Sequence, residues 1–222
     1  MIAVIVPVHN EEQVLSRCLQ ALQTAATFPL LEGVEVKIIA VLDSCTDASW
    51  KIAASFDISI VQVLVANVGA ARAAGAAYAI ACGAHWLANT DADTIVAPDW
   101  LWQQLQLKAD VVCGTIGVDD WSAHGAAANR LSDHFSRTYT DADGHSHIHG
   151  ANIGLSTHAY KKVGGFKPLS CSEDVALVEA LINAGAVIAW TAAPRVTTSA
   201  RVQSRAPGGF GDTLKAVVAQ FD

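Results

Sequence analysis

Leu87-Ala-Asn-Thr-Asp-Ala-Asp-Thr-Ile-Val96 sets an apolar run directly against two carboxylates, Asp91 and Asp93, one residue apart. Like charges that close destabilise each other unless a positive group sits between them or water screens them. The run that leads into them, His85 to Thr90, has the character of a buried strand. The acidic pair therefore falls where a strand ends. In open parallel sheets, ligands bind just beyond the carboxyl ends of the strands. One short stretch thus predicts both a fold and a place for chemistry.

Outward from it, the chain alternates. Ile2 to Val8 is a continuous apolar run, the mark of a strand covered on both faces. Val14, Leu15, Cys18, Leu19, Leu22 and Ala25 keep helical spacing, with Asn10 placed to cap that helix and Glu11 and Glu12 suited to its positive end. Strands are predicted at Val36 to Leu42, Ser59 to Val65 and Val111 to Ile116, with a turn and helix over Ser44 to Phe56. The Ala-rich Val68 to Cys82 reads as a helix able to pack closely, and Pro98 starts another. This order argues for an α/β fold with a mostly parallel sheet flanked by helices. Further on, Ser122 to Tyr139 reads as a helix, His147 to Ser156 as a strand, Thr157 to Val163 as a short helix, Glu173 to Ala184 as an amphipathic helix and Val187 to Thr191 as a strand. Arg195 to Gly211 is polar and Gly-rich, a candidate loop before a last helix from about Asp212. The expected organisation is one domain, with residues 1–118 as a nucleotide-binding half and 119–222 as a mixed second half.

Composition narrows the function. With 52% apolar and 16% charged residues the chain can bury a core. A net charge of −7 and no basic block argue against nucleic acid and anionic membrane surfaces as partners. Five scattered cysteines without a CxxC pair suit a reducing compartment. No stretch reads as a signal peptide or a bilayer span, so the expected location is the cytoplasm.

Three predicted strands end in polar or acidic residues: Pro7-Val-His-Asn-Glu-Glu12, Asp43-Ser-Cys-Thr-Asp47 and Thr90-Asp-Ala-Asp93. A parallel sheet gathers all three ends at one edge. So much carboxylate in one crevice calls for a divalent cation with oxygen ligands, Mg2+ or Mn2+, shared with substrate phosphates. Asp47 or Asp99 alone reads as a cap; Asp43, Asp91 and Asp93 together read as a site.

The segments IVPVHNEE (5–12), LDSCTDAS (42–49), NVGAARAAGAAYA (67–79), NTDADT (89–94), GANIGLSTHAYKKVGGF (150–166) and SEDVALVEAL (172–181) resemble, in this order, those of a family 2 glycosyltransferase with the GT-A fold. The resemblance implies transfer of a sugar from a nucleotide diphosphate sugar donor to an acceptor hydroxyl, with inversion. It implies that Asp93 of the DxD motif holds the metal and that Asp91 reaches the ribose or the metal's shell. It places Pro7, His9, Glu11 and Asp43 around the base and ribose. Arg72 falls in the segment resembling a base- or phosphate-contacting turn, and a solvated helix charge is its other reading. Of the acidic pair Glu173 and Asp174, the resemblance makes Asp174 the general base. Gly150 and Asn152 fall beneath the sugar and acceptor, where Asn152 bonds a hydroxyl or stabilises a turn.

The pattern also departs from the family. Many GT-A enzymes add a His metal ligand after the acidic pair, and no His follows His158 here. Arg201 and Arg205 lie where a loop often closes over the diphosphate, as phosphate clamps or as surface charge. His145, His147 and His149 alternate, which in a strand would put three imidazoles on one face, as a transition-metal site or an acceptor surface. Trp121 stacks on a sugar or packs. The alternatives are a nucleotidyltransferase, disfavoured because no Gly-rich phosphate loop follows the first strand, and a non-catalytic nucleotide-sugar or metal-binding module. An NAD-dependent oxidoreductase is disfavoured by the missing GxGxxG.

Overall fold

The computed structural model describes residues 1–203 and 209–219. Seven strands form one sheet: β1 (Ile2–Val8), β2 (Val36–Asp43), β3 (Ser59–Val63), β4 (Trp86–Asn89), β6 (Val111–Gly114), β7 (Ile153–Ser156) and β8 (Ile188–Thr191), in the order β3-β2-β1-β4-β7-β6-β8. A short β5 (Ile95–Val96) pairs antiparallel with β9 (Val196–Thr197) beside it. All the pairings in the large sheet are parallel except those of β7, which runs antiparallel to both β4 and β6.

Strand alternation sorts the core into two layers. Ile2, Val4, Val6 and Val8 face one side, where they meet Leu15, Leu19 and Leu22 of α1 (Leu15–Ala26) and Trp100 and Leu101 of α4 (Trp100–Gln106). Ala3 and Ile5 face the other, against α3 (Val68–Ala81), α6 (Thr157–Lys162) and α7 (Glu173–Asn183). The small residues of α3 let it approach the sheet: a Cβ on Gly75 would stand 2.7 Å from Ile5 Cγ2 and 2.8 Å from Val41 Cγ2. Between β2 and β3 lies α2 (Ser49–Ala54). A third apolar cluster, with Leu131 and Leu214, joins α5 (Ala128–Thr138) to α8 (Phe210–Val218).

The reversed β7 positions the site. Its first residue, Ile153, pairs with Asn89 at the end of β4 and with Cys113 near the end of β6. The residues just before β7 therefore reach the same rim as those just after β4.

Several local expectations change. Asn10 does not cap α1, which starts at Leu15 without a side-chain cap. Asn10 Oδ1 instead accepts the N–H groups of Thr46 (2.8 Å) and Asp47 (3.3 Å), tying the loop after β1 to the loop after β2. The helix expected over Ser122 to Tyr139 is a 3-10 stretch, Ser122–Ala127, broken at Gly125 (φ 52°), and then α5. The strand expected from His147 begins only at Ile153; a 3-10 turn at Gly150–Asn152 precedes it. Among the described residues, no helix is long and apolar enough to cross a membrane.

Candidate active site

The carboxyl ends of β1, β2 and β4 and the start of α7 surround one cavity of about 790 Å³. Pro7, His9 and Glu11 reach it from β1, Asp43 from β2, Arg72 from α3, and Asp91 and Asp93 from the turn after β4. Gly150, Glu173, Asp174 and Arg201 complete the polar wall. Arg205 lies outside the described residues.

Each carboxylate of the Asp91–Asp93 pair has its own guanidinium, which is how two like charges stand one residue apart. Arg72, only 2% exposed, donates from Nη2 to Asp91 Oδ1 (2.6 Å) and from Nε to Glu173 Oε1 (3.2 Å). The solvated alternative is thereby corrected: Arg72 is a buried brace between two distant segments, and it also lines the cavity. Burial opposes its charge, and Asp91 and Glu173 outweigh burial, so its ionised form is strengthened. Burial pushes the Glu173 carboxyl up, against the pull of Arg72. Gly150 must be small here, because a Cβ would stand 2.5 Å from Arg72 Nη2.

Arg201 serves the second carboxylate. Its Nη2 donates to Asp93 Oδ2 (2.7 Å), and its Nη1 donates to both oxygens of Glu11 (2.8 Å each). Burial pushes the Asp93 carboxyl up to about 6; Arg201 opposes the shift, and Asp91 and Glu11 add to it.

The acidic pair at α7 divides its work. Both line the cavity, but Glu173 is tied to Arg72, whereas Asp174 accepts the Gly150 N–H at 2.6 Å through Oδ2. Asp43 has a task the sequence did not foretell. Its Oδ1 accepts N–H from Val65 and Ala66, and its Oδ2 accepts N–H from Asn67, each at 2.9 Å. Burial raises its pKa, but these backbone donors outweigh that and hold it below the usual carboxylate range. Asp43 thus shapes the loop that leads into α3, where Asn67 Oδ1 caps the helix by accepting the Ala70 N–H. His9 donates from Nδ1 to the Asp43 carbonyl (2.7 Å), which turns its ring to the cavity side of that loop.

Asn152 is corrected. It is 1% exposed: its Oδ1 accepts the Trp100 indole N–H (2.8 Å), and its Nδ2 donates to the carbonyls of Thr115 and Pro194 (2.7 Å each). It ties three segments together and does not line the cavity. Trp121 packs against Phe135, ring centroids 5.5 Å apart.

The three histidines stack instead of converging their nitrogens. His147 lies on Tyr139 at 4.1 Å and 10°, with His145 and His149 at 5.5 and 5.9 Å from His147. His145 Nδ1 accepts the His147 N–H, His147 Nε2 accepts the Thr140 N–H, and His149 Nε2 shares a hydrogen bond with the Tyr139 hydroxyl. Among the described residues, no group of three or more His, Cys, Asp or Glu side chains could hold a metal. Burial, with the neighbouring imidazoles, pushes His149 down to about 4. An unfolded imidazole titrates near 6.5, so between the two values the unfolded chain binds more protons. His149 should therefore cost the fold about 3 kcal/mol as pH falls from 6.5 to 4, and nothing above 6.5. Urea midpoints at pH 7 and 4.5 should fall further in the wild type than in H149Q, and equal drops would refute this assignment.

Sequence reading missed the far wall of the cavity, where Leu131, Phe135 and Tyr139 of α5 and its end face Phe210 and Leu214 of α8. The i, i+4, i+8 spacing of the first three was the available signal.

The family described as Glycosyl transferase family 2 matches residues 3–164. No curated protein matches the chain. Among solved structures, the mannosyltransferase PcManGT from Pyrobaculum calidifontis, in complex with GDP-Man and Mn2+, is 16% identical with a TM-score of 0.66, covering 92% of this chain and 58% of its own. S. aureus TarS 1-349 in complex with UDP-GlcNAc is 17% identical with a TM-score of 0.63, covering 99% and 65%. Glucosyl-3-phosphoglycerate synthase from Mycobacterium tuberculosis, in complex with Mn2+, UDP and phosphoglyceric acid, is 18% identical with a TM-score of 0.61, covering 100% and 77%. The chain spans less than two thirds of the length of the first two, and at these identities the likeness is one of fold.

Proposed function

The chain belongs to glycosyl transferase family 2, and from that premise we propose that it moves a sugar from a nucleotide diphosphate sugar to an acceptor hydroxyl, with inversion and with the help of Mg2+ or Mn2+. The observation that carries this reading is that Asp91, Asp93 and Asp174, separated by up to 83 positions in the chain, line one cavity.

Carboxylates are the ligand type a hard cation takes, and donor phosphates would complete the oxygen set that no cluster of three described side chains supplies. The cavity wall holds six carboxylates, from Glu11, Asp43, Asp91, Asp93, Glu173 and Asp174, against the guanidiniums of Arg72 and Arg201. A diphosphate cannot settle beside such an excess of negative charge without added positive charge. Asp93 would hold the ion, with Asp91 and the donor phosphates beside it, and oxygen ligands suit Mg2+ or Mn2+. Bound there, the metal would stabilise the negative charge that grows on the leaving diphosphate.

The other steps belong to the protein. Asp174 takes the proton of the acceptor hydroxyl as that oxygen attacks the anomeric carbon. The Gly150 N–H, donated to Asp174 Oδ2 at 2.6 Å, holds that carboxylate in place at the start of α7. Glu173 braces Arg72 and does not serve as base. Pro7, His9 and Asp43 shape the nucleoside end. Two of the similar structures are complexes with UDP-GlcNAc and with GDP-Man, which supports a nucleotide-sugar partner here. Strands β7 and β8 of the second half complete the sheet of the first, which supports one transferase domain. All five cysteines are unpaired, as in a cytoplasmic protein.

A thermal-shift screen of UDP, GDP and TDP, with and without Mn2+, tests donor recognition. A diphosphate at 100 times its Kd should add about 2.7 kcal/mol, or roughly 5–10 °C for a chain of this size. Release of nucleoside diphosphate from the matching sugar, lost in D93A, then supports transfer. Binding without turnover across acceptors would favour the non-catalytic module, and no shift with any nucleotide would sink both readings.

A further inference from the structure

We infer that Arg201 is the resident counter-cation of Asp93 and Glu11, and that a divalent cation reaches Asp93 only by displacing it. The inference rests on the transferase reading for its choice of metal and for the diphosphate as a second ligand. Arg201 spans both carboxylates with three contacts of 2.7–2.8 Å. Glu11 and Asp93 have side chains only 7% and 8% exposed, while Arg201 is 29% exposed. A fork of guanidinium N–H groups held by buried carboxylate oxygens is a strong, desolvated interaction.

The anchoring of the three residues says which one moves. The Glu11 N–H donates to Ser49 Oγ at 2.9 Å. Asp93 lies in a turn closed by the Thr94 N–H on the Asp91 carbonyl at 3.1 Å. Both carboxylates thus stand on braced backbone at the ends of sheet strands. Arg201 is the long, partly exposed partner, and its stem can swing. An Mg2+ or Mn2+ ion takes a carboxylate oxygen at about 2.0–2.2 Å. That is the direction and charge that Arg201 Nη2 now supplies to Asp93 Oδ2. A dication and a guanidinium on the same oxygen would repel each other, with little water to screen them at these buried carboxylates. The two are therefore alternatives, and Arg201 sets how tightly the metal is held.

The geometry also assigns Glu11 a part. Two of the guanidinium contacts fall on it, so the cation site that Arg201 marks is built from Glu11 and Asp93, drawn from the ends of β1 and β4. Once displaced, Arg201 stays beside the cavity as a free cation for phosphate oxygens. Metal and diphosphate should then bind cooperatively, because the diphosphate gives the ejected guanidinium a new partner.

Mn2+ binding to the protein without nucleotide, read from the electron paramagnetic resonance signal of free Mn2+, tests this directly. R201Q, which keeps a polar side chain but no charge, should hold Mn2+ at least tenfold more tightly than the wild type. R201K, which keeps the charge, should stay near the wild type. Unchanged or weaker binding in R201Q, or no binding in either protein, overturns the inference. A second readout needs no variant: trypsin cleavage after Arg201, followed by mass spectrometry, should rise when Mn2+ is added to the wild type. Cleavage indifferent to Mn2+ also overturns it. Neither readout uses a nucleotide or turnover, so a failed nucleotide screen would end the transferase reading without touching these results.

Discussion

D174N should lower transfer by about 10²–10⁴-fold while leaving nucleoside diphosphate affinity unchanged. The change is nearly isosteric, and an amide oxygen can still accept the Gly150 N–H that Asp174 now takes at 2.6 Å. The fold around α7 should therefore survive, and the loss should fall on the chemical step. Single-turnover release of nucleoside diphosphate measures that step, and a thermal-shift titration checks donor binding. E173Q provides the contrast. Glu173 is buried against Arg72, so its loss should appear in the melting temperature more than in the chemical rate. A D174N protein that turns over at the wild-type rate would remove Asp174 from the reaction.

Removing Arg72 should be the most damaging change to stability. R72M leaves the Asp91 and Glu173 carboxylates without the buried cation that holds them. Breaking a buried ion pair by deleting one partner costs about 3–5 kcal/mol. For a chain of this length that is a fall in Tm of roughly 6–20 °C. Urea unfolding should show a lower midpoint at an unchanged m value. R72K should recover only part, since one ammonium cannot reproduce the two directed contacts of Nε and Nη2. Adding E173Q to R72M should restore some stability by removing one of the orphaned charges. A Tm within 2 °C of the wild type in R72M would show that the brace carries little of the fold.

Much of this arrangement was legible from residues alone. The apolar run Ile2 to Val8 became β1, and Leu15, Cys18, Leu19, Leu22 and Ala25 supplied the buried face of α1. The acidic strand ends at Asp43 and at Asp91–Asp93 did gather at one cavity, joined by Asp174. Polar side chains with more than one possible partner were harder. Asn10 was placed to cap its own helix and instead holds a loop some 36 residues ahead. Asn152 carried a reading as a ligand group, yet Trp100, Thr115 and Pro194 take its donors and acceptor. The three histidines suggested a strand, but their segment lies outside the sheet, and ring stacking orders them.

The difference has a physical cause. Strand and helix periods arise from steric limits within a few residues of backbone, so the amino-acid sequence by itself determined the two-layered α/β core and the strand ends where charge collects. Which carboxylate meets which guanidinium depends on segments far apart in the chain. Arg72 meets Glu173 across 101 positions, and Arg201 meets Glu11 across 190. No local rule carries that information. Only the packed sheet, with reversed β7 set between β4 and β6, brought Gly150 and α7 beside Asp91 and divided the acidic pair into one carboxylate held by Arg72 and one held by the Gly150 N–H.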